Sequence, residues 1–288
     1  MSDEIFRTAQ GPRLSSLLDP VAMVRNLWAR RDLTAQFARR DLAGKYRASY
    51  FGMLWTVFSP LLLLIVYTFI FSVVLRMKFG QTTSGGHGDF AIKMFIGLLI
   101  FNVFSEVVNR AATLVVSHPN YVKKVVFPLE ILVPAVLLSS LVTMAVGLGV
   151  WLVGCLILIG PPTATGLLLP VVLLPICLLT LGLGWLLAAL GAFIRDISQI
   201  VGVITQVLFL CTPIFYPLDI LDRAPAFIRT MIVLNPLTQV VVNARTVLLD
   251  GAMPNWTWWG GSMVGGIVVA LFGHAFFMKS RRAFGDVL

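Results

Sequence analysis

Charge is scarce in this sequence. Only 12% of its 288 residues are Asp, Glu, Lys or Arg, while 58% are hydrophobic. A soluble domain carries about 25% charged and about 45–50% apolar residues. So few charges cannot clothe a water-exposed surface, which excludes a soluble fold and leaves membrane insertion, in line with a mean hydropathy of +0.91. Cysteine is equally sparse. Cys155, Cys177 and Cys211 lie inside apolar stretches and form no CxxC pair, so neither a disulfide framework nor a zinc site is indicated. They read as small buried hydrophobes. His87, His118 and His274 are far apart and show no ligand spacing. No GxxxxGK[ST] occurs, so the chain has no phosphate-cradling loop for ATP. A Ser/His/Asp set and a close carboxylate pair are missing too, which speaks against a membrane enzyme. The opening MSDEIFRTAQGPR lacks the apolar core of a secretory signal, and no cleavage is expected there.

What the chain does have is long uncharged runs. A spanning helix needs about 20 mostly apolar residues, and Phe51–Leu75, Phe90–Asn109, Leu129–Ile159, Gly166–Ile194, Ile197–Leu218 and Thr257–Met278 qualify. The second is the weakest, flanked by Lys93 and interrupted by Glu106. The third is long enough to tilt or protrude. Between 213 and 256 the pattern changes: Met231–Ala244 is uncharged but only 14 residues long and contains Asn235–Pro236. That length suits a re-entrant element, buried in protein or lining a wet cavity. The expected fold is an all-α membrane protein with six spans and a re-entrant element between the last two. Residues 1–50 would be a cytoplasmic tail with an interfacial helix, and 51–288 the membrane domain.

The net charge of +9 sits at the ends of apolar runs rather than on one polar face, the habit of a membrane protein rather than a nucleic-acid binder. With six spans, 16 Lys and Arg fall on the side of both termini and six on the other, so the termini are expected in the cytoplasm. Asp19–Pro20 is a helix start, with Asp as cap and Pro in the first turn. Val21, Val24 and Trp28 then recur at helical spacing, and Asp32 starts a second short helix through Phe37. Together they read as an interfacial collar on the cytoplasmic leaflet.

Ionisable groups within spans are costly and tend to be functional. Glu106 precedes Arg110 by one turn, the spacing of an ion pair, and Glu130 follows Phe127–Pro128 in a helix first turn. Tyr67 with Phe71, and Phe95, Phe101 and Phe104, put rings on the first two spans; planar rings suit the C–H faces of sugars. Gly261 with Gly265, and Gly184 with Ala188, are small pairs of the kind that lets helices approach. The loop SHPNYVKKVVFP, bracketed by Pro119 and Pro128, predicts a short separate helix.

RRDLAGKYRASYFGMLWTVFSPLLLLIVYTFIFSVV, VKKVVFPLEILVPAVLLSSLV, FIRDISQIV, TPIFYPLDIL and LNPLTQVVVNARTVLLDG resemble, in order, stretches of the ABC-2-type permeases that export lipid-linked O-antigen, capsule or teichoic acid. The resemblance runs from about residue 30 to the C-terminus, with Thr212 where the family has Ser. It implies a homodimeric permease of six spans per subunit in the bacterial inner membrane. Two copies of a separate ATPase would bind ATP and Mg, leaving no cofactor in this chain. The implied substrate channel draws on Tyr67, Phe71, Phe95, Phe101, Phe104, Glu106, Phe215 and Tyr216. The implied ATPase contact draws on Arg30, Arg31, Phe37, Arg39 and Arg40 of the collar, and on Asn120, Tyr121, Lys123 and Lys124 of the loop. A permease of the same architecture for a drug or lipid stays open, as does a membrane-bound glycan-modifying enzyme.

Overall fold

The computed structural model describes residues 19–46, 50–74, 88–123 and 127–287. Among these every regular element is helical. The collar is α1 (Pro20–Ala29) and α2 (Arg31–Tyr46). Asp19 caps α1 by accepting from the Val21 N–H at 2.9 Å. Met23 is buried, whereas Val21, Val24 and Trp28 are exposed. Instead of stopping near Phe37, α2 continues unbroken to Tyr46; no Pro interrupts this stretch, and its Ala, Leu, Arg and Lys favour helix.

The bundle follows as α3 (Trp55–Tyr67, continued by a π-helical turn Thr68–Val74), α4 (Asp89–Leu114), the five-residue α5 (Pro119–Lys123) and α6 (Leu132–Leu158). Next come α7 (Leu169–Phe193), α8 (Ile197–Cys211), α9 (Ala226–Leu234), α10 (Pro236–Arg245), α11 (Trp256–Ser280) and α12 (Phe284–Val287). The weakest expected span is the centre of the molecule: 18 of the 26 residues of α4 are buried, and it packs against α6, α7, α8 and α10. Trp151 on α6 fixes it by donating to the Ile92 carbonyl at 3.1 Å.

Among the described residues four helical stretches are long and apolar enough to cross a membrane: Asp89–Leu114, Leu129–Leu158, Ala164–Phe193 and Trp256–Ala283. The first and fifth expected spans fall short as single α-helices. α8 ends at Cys211 rather than Leu218 because Pro213 offers no N–H and pushes Thr212 into an extended conformation (φ −94, ψ 134). Its 15 residues reach about 22 Å against a hydrocarbon core of about 30 Å. α9 and α10 form a pair bent by 74°. Asn235 stands at the bend, capping α10 through the Leu237 N–H at 3.0 Å and donating to the Thr212 hydroxyl at 3.2 Å.

Neighbouring helices disclose their directions. α4 and α8 run opposite ways, since Asn109 meets Thr205 and Phe101 meets Phe209. α7 and α11 run the same way: Gly266 faces the Pro175 carbonyl, and Gly273 faces Gly182. These contacts recur after seven residues on both helices, and a Cβ on Gly182 or Gly273 would collide with the opposing backbone. The small pair expected to pack, Gly261 and Gly265, meets nothing within 4 Å; both precede the buried seam of α11. Gly184 lies against the Val133 side chain, and Ala188 is buried.

Glu130 ties the ends of the chain to this bundle. Its carboxylate, 6% exposed, pairs with Arg30 between α1 and α2 and with Arg281 just after α11, the latter at 3.1 Å. Arg281 also donates to the Phe127 carbonyl at 2.8 Å, and the Trp185 indole of α7 donates to the Glu130 carbonyl at 2.9 Å. The collar, the start of α6 and the segment after α11 therefore share one face of the molecule.

Candidate functional site

Pro60 interrupts α3, so the helix lacks the N–H that the carbonyl four residues earlier would accept. Beside this defect α3, α4, α6 and α8 enclose a cavity of about 240 Å³. Tyr67, Phe95 and Phe209 give it aromatic walls; Asn102, Glu106, Ser140 and Thr143 give it polar ones. The Ser140 hydroxyl is buried without a hydrogen-bond partner. An apolar surround with a few convergent polar groups favours a ligand that presents both C–H faces and hydroxyls.

The rings form a continuous series. Tyr67 stands edge-on to Phe215 at 6.5 Å between centroids, Phe215 edge-on to Phe209 at 5.2 Å, Phe209 tilted on Phe101 at 5.0 Å, and Phe101 on Phe104 at 6.3 Å. A second cavity of about 490 Å³ lies along Phe101, Ser105, Asn109, Thr205, Gln206 and Phe209. Six of the expected channel residues, Tyr67, Phe95, Phe101, Phe104, Glu106 and Phe215, thus meet at these cavities or in the series. Phe104 is 3% exposed and lines neither cavity. Tyr216 donates to the Leu210 carbonyl at 3.2 Å. Phe209, which joins the two cavities, escaped the sequence reading because one Phe in an uncharged run is indistinguishable from a packing residue.

Below the cavity a charge network joins α4 to the collar. Arg110 donates to both oxygens of Asp41, one at 2.9 Å, and to Glu106 at 3.2 Å. Lys45 pairs with Glu106 at 2.5 Å. Burial raises the pKa of the Asp41 carboxyl, but the hydrogen bonds and charge of Arg110, aided by Lys45, outweigh that and hold it below the ordinary 3.8. The expected Glu106–Arg110 pair exists, and Glu106 is also a cavity wall.

Much of the expected partner contact is turned inward. Arg30 is engaged with Glu130. Phe37, Tyr121 and Phe127 form an aromatic cluster with centroids 4.8–5.6 Å apart, and Arg40 donates to the Tyr121 hydroxyl at 3.2 Å. Arg31, which covers the Trp28 ring at 5.5 Å, is exposed, as are Arg39, Arg40 and Asn120. The side chains of Phe71 and Lys123, and the whole of Lys124, lie outside the described residues.

Among the described residues no cluster of His, Cys, Asp or Glu could hold a metal. Residues 33–249 match the ABC-2 type transporter family. The chain is 30% identical over 235 residues, 82% of its own length and 87% of the relative's, to the O-antigen export system permease protein RfbA of Myxococcus xanthus. It is 25% identical over 263 residues to a protein of that name from Klebsiella pneumoniae, covering 89% of this chain and 95% of that one. A second Klebsiella pneumoniae protein of that name is 24% identical over 269 residues, 93% of this chain and 99% of that one. With that family spanning most of its length, over a helical bundle that carries an internal aromatic series, the chain belongs to the ABC-2 type transporters.

Proposed function

We propose that this chain is the channel-forming permease subunit of an ATP-driven exporter that moves a lipid-linked polysaccharide of O-antigen type from the cytoplasmic leaflet across the bacterial inner membrane. The observation that carries the reading is the aromatic series from Tyr67 to Phe101 beside a cavity walled by Asn102, Glu106, Ser140 and Thr143. Rings accept the apolar faces of successive sugars without demanding one sequence, and the hydroxyl, amide and carboxylate groups replace lost water. The names of the three relatives point the same way.

In this reading α3, α4, α6, α7, α8 and α11 cross the membrane, and the bent pair α9–α10 enters and returns on one side. The parallel course of α7 and α11 supports it, because one crossing, α8, must then lie between them. Both termini face the cytoplasm. Residues 1–50 are a tail and interfacial collar, and 51–288 the permease domain. Two copies of this chain enclose the path, and two copies of an ATPase, holding ATP and Mg, dock beneath the collar and the α4–α6 loop through Arg31, Arg39, Asn120 and the lysines at 123 and 124. This chain itself carries no cofactor.

The test is reconstitution in sealed vesicles with an ATPase encoded beside it. Lipid-linked glycan should become accessible on the far leaflet only with both chains and ATP, and the permease alone should hydrolyse none. ATP turnover by the isolated chain, or glycan movement without the partner, would sink the assignment.

A further inference from the structure

Arg245 ends α10, and its residue is 6% exposed. Among the described residues its guanidinium donates to three backbone carbonyls: Nε to Lys93 at 2.9 Å, Nη1 to Pro213 at 2.7 Å and Nη2 to Ile214 at 2.9 Å. Lys93 lies near the start of α4, while Pro213 and Ile214 belong to the TPIFYP stretch where α8 has ended and helical N–H groups are lacking. One side chain therefore joins three elements. The room for it is reserved by Gly97 on α4, where a Cβ would lie 3.0 Å from Nη2. The next residue after Ile214 is Phe215, whose ring closes on both Phe209 and Tyr67.

We propose that Arg245 is a latch: a positioning residue that holds the 212–217 stretch, and with it the Phe215 ring, closed across the outer end of the aromatic path. Its release from the Pro213 and Ile214 carbonyls accompanies opening there. The planar fork is suited to this because it grips two successive carbonyls at once. Carbonyl acceptors also suit a reversible fastener: the bonds are strong while the site is dry, and water can replace them when the stretch swings outward. The inference rests on the transport reading above.

The experiment uses the permease–ATPase complex in vesicles, with Cys155, Cys177 and Cys211 replaced and Tyr216→Cys as reporter for a membrane-impermeant maleimide added at the outer face. With Arg245 and Gly97 intact, labelling should be slow. Arg245→Met should accelerate it by about tenfold or more, since a single charge-assisted hydrogen bond is worth more than a tenfold population change. Arg245→Lys, a point charge without the fork, should fall between. Gly97→Ala, which displaces Nη2 while keeping the arginine, should also accelerate labelling. Met253→Cys serves as control: it should label equally in every background, and its failure to label from outside would indict the proposed orientation rather than the latch. Should Arg245→Met fail to reach the membrane, the other two variants decide. Unchanged labelling in Arg245→Lys and Gly97→Ala, each recovered at normal yield, overturns the proposal.

Discussion

At the scale of single residues, the sequence disclosed local pairs and missed distant ones. Glu106 and Arg110 stand one turn apart on one helix, so their pairing follows from the helical repeat. Asp41, which takes the same arginine from 69 residues away, has no such signature. The same holds for Phe209, and for Arg245 with its acceptors more than 30 residues distant. Two predictions belong here. Phe209→Ala should lower export by about tenfold, the scale of one lost aromatic contact, with insertion and assembly unchanged. Phe104→Ala, at a residue 3% exposed in the core, should instead cost about 3–5 kcal/mol of stability. Comparison of glycan export with thermal unfolding in nanodiscs separates them. The second prediction concerns Asp41, whose pKa is lowered in the fold. Its stabilisation of the collar is present in full above the ordinary carboxylate value and is lost as pH falls through the lowered one. Amide protection along α2, taken relative to the intrinsic exchange rate at each pH, should therefore fall on acidification through that range, and Asp41→Asn should be less protected already at neutral pH.

At the scale of elements, composition and hydrophobic runs were enough to place the helices, while their ends were legible only where the chain carries punctuation. Asp19–Pro20 and Asn235–Pro236 start helices where such pairs should. Hydrophobicity alone carries the end of α8 too far, because apolar residues continue through TPIFYP although Pro213 already forbids the helix. Depth was the least legible property. The run with the most charge became the most buried helix, because its Lys93, Glu106 and Arg110 find partners at the two ends of α4 and leave its middle free to pack. Small residues divide likewise: of the two pairs that spacing singles out, Gly184 with Ala188 is tightly packed whereas Gly261 with Gly265 meets nothing, and the closest backbone approach occurs at Gly182 and Gly273. Leu at Gly182 or Gly273 should force α7 and α11 apart and abolish recovery of folded protein. Even Ala there should cost more than the about 1–3 kcal/mol of ordinary overpacking, because the obstacle is backbone. Gly261→Ala and Gly265→Ala, with nothing within 4 Å, should leave the melting temperature unchanged or slightly raised.

At the scale of the whole molecule, α4, α7 and α11 form a packed block, with α3, α6 and α8 set against it. The collar packs along α6 and is tied to the bundle by polar contacts, notably Asp41–Arg110 and Lys45–Glu106 on α4 and Arg30–Glu130 at the start of α6, together with the aromatic cluster around Tyr121. Replacing Glu130 by Ala would leave two partly buried arginines facing each other. Because the two arginine side chains are 39% and 30% exposed, water screens their repulsion and the cost stays below the about 3–5 kcal/mol of a fully buried pair that loses one partner; limited proteolysis should nonetheless cleave the collar faster than the bundle. The Glu130 group also orders events in time. Arg281 lies 151 residues beyond the carboxylate it completes, so during synthesis Glu130 meets Arg30 first and gains its second partner only once α11 has been made. A chain halted before residue 281 would leave Glu130 Oε2 and the Phe127 carbonyl without the hydrogen bonds that Arg281 gives them, marks by which cellular proteolysis can tell an unfinished chain from a finished one. A pulse-chase comparison of the full chain with one truncated after Ser280 should show the shorter product decaying several-fold faster.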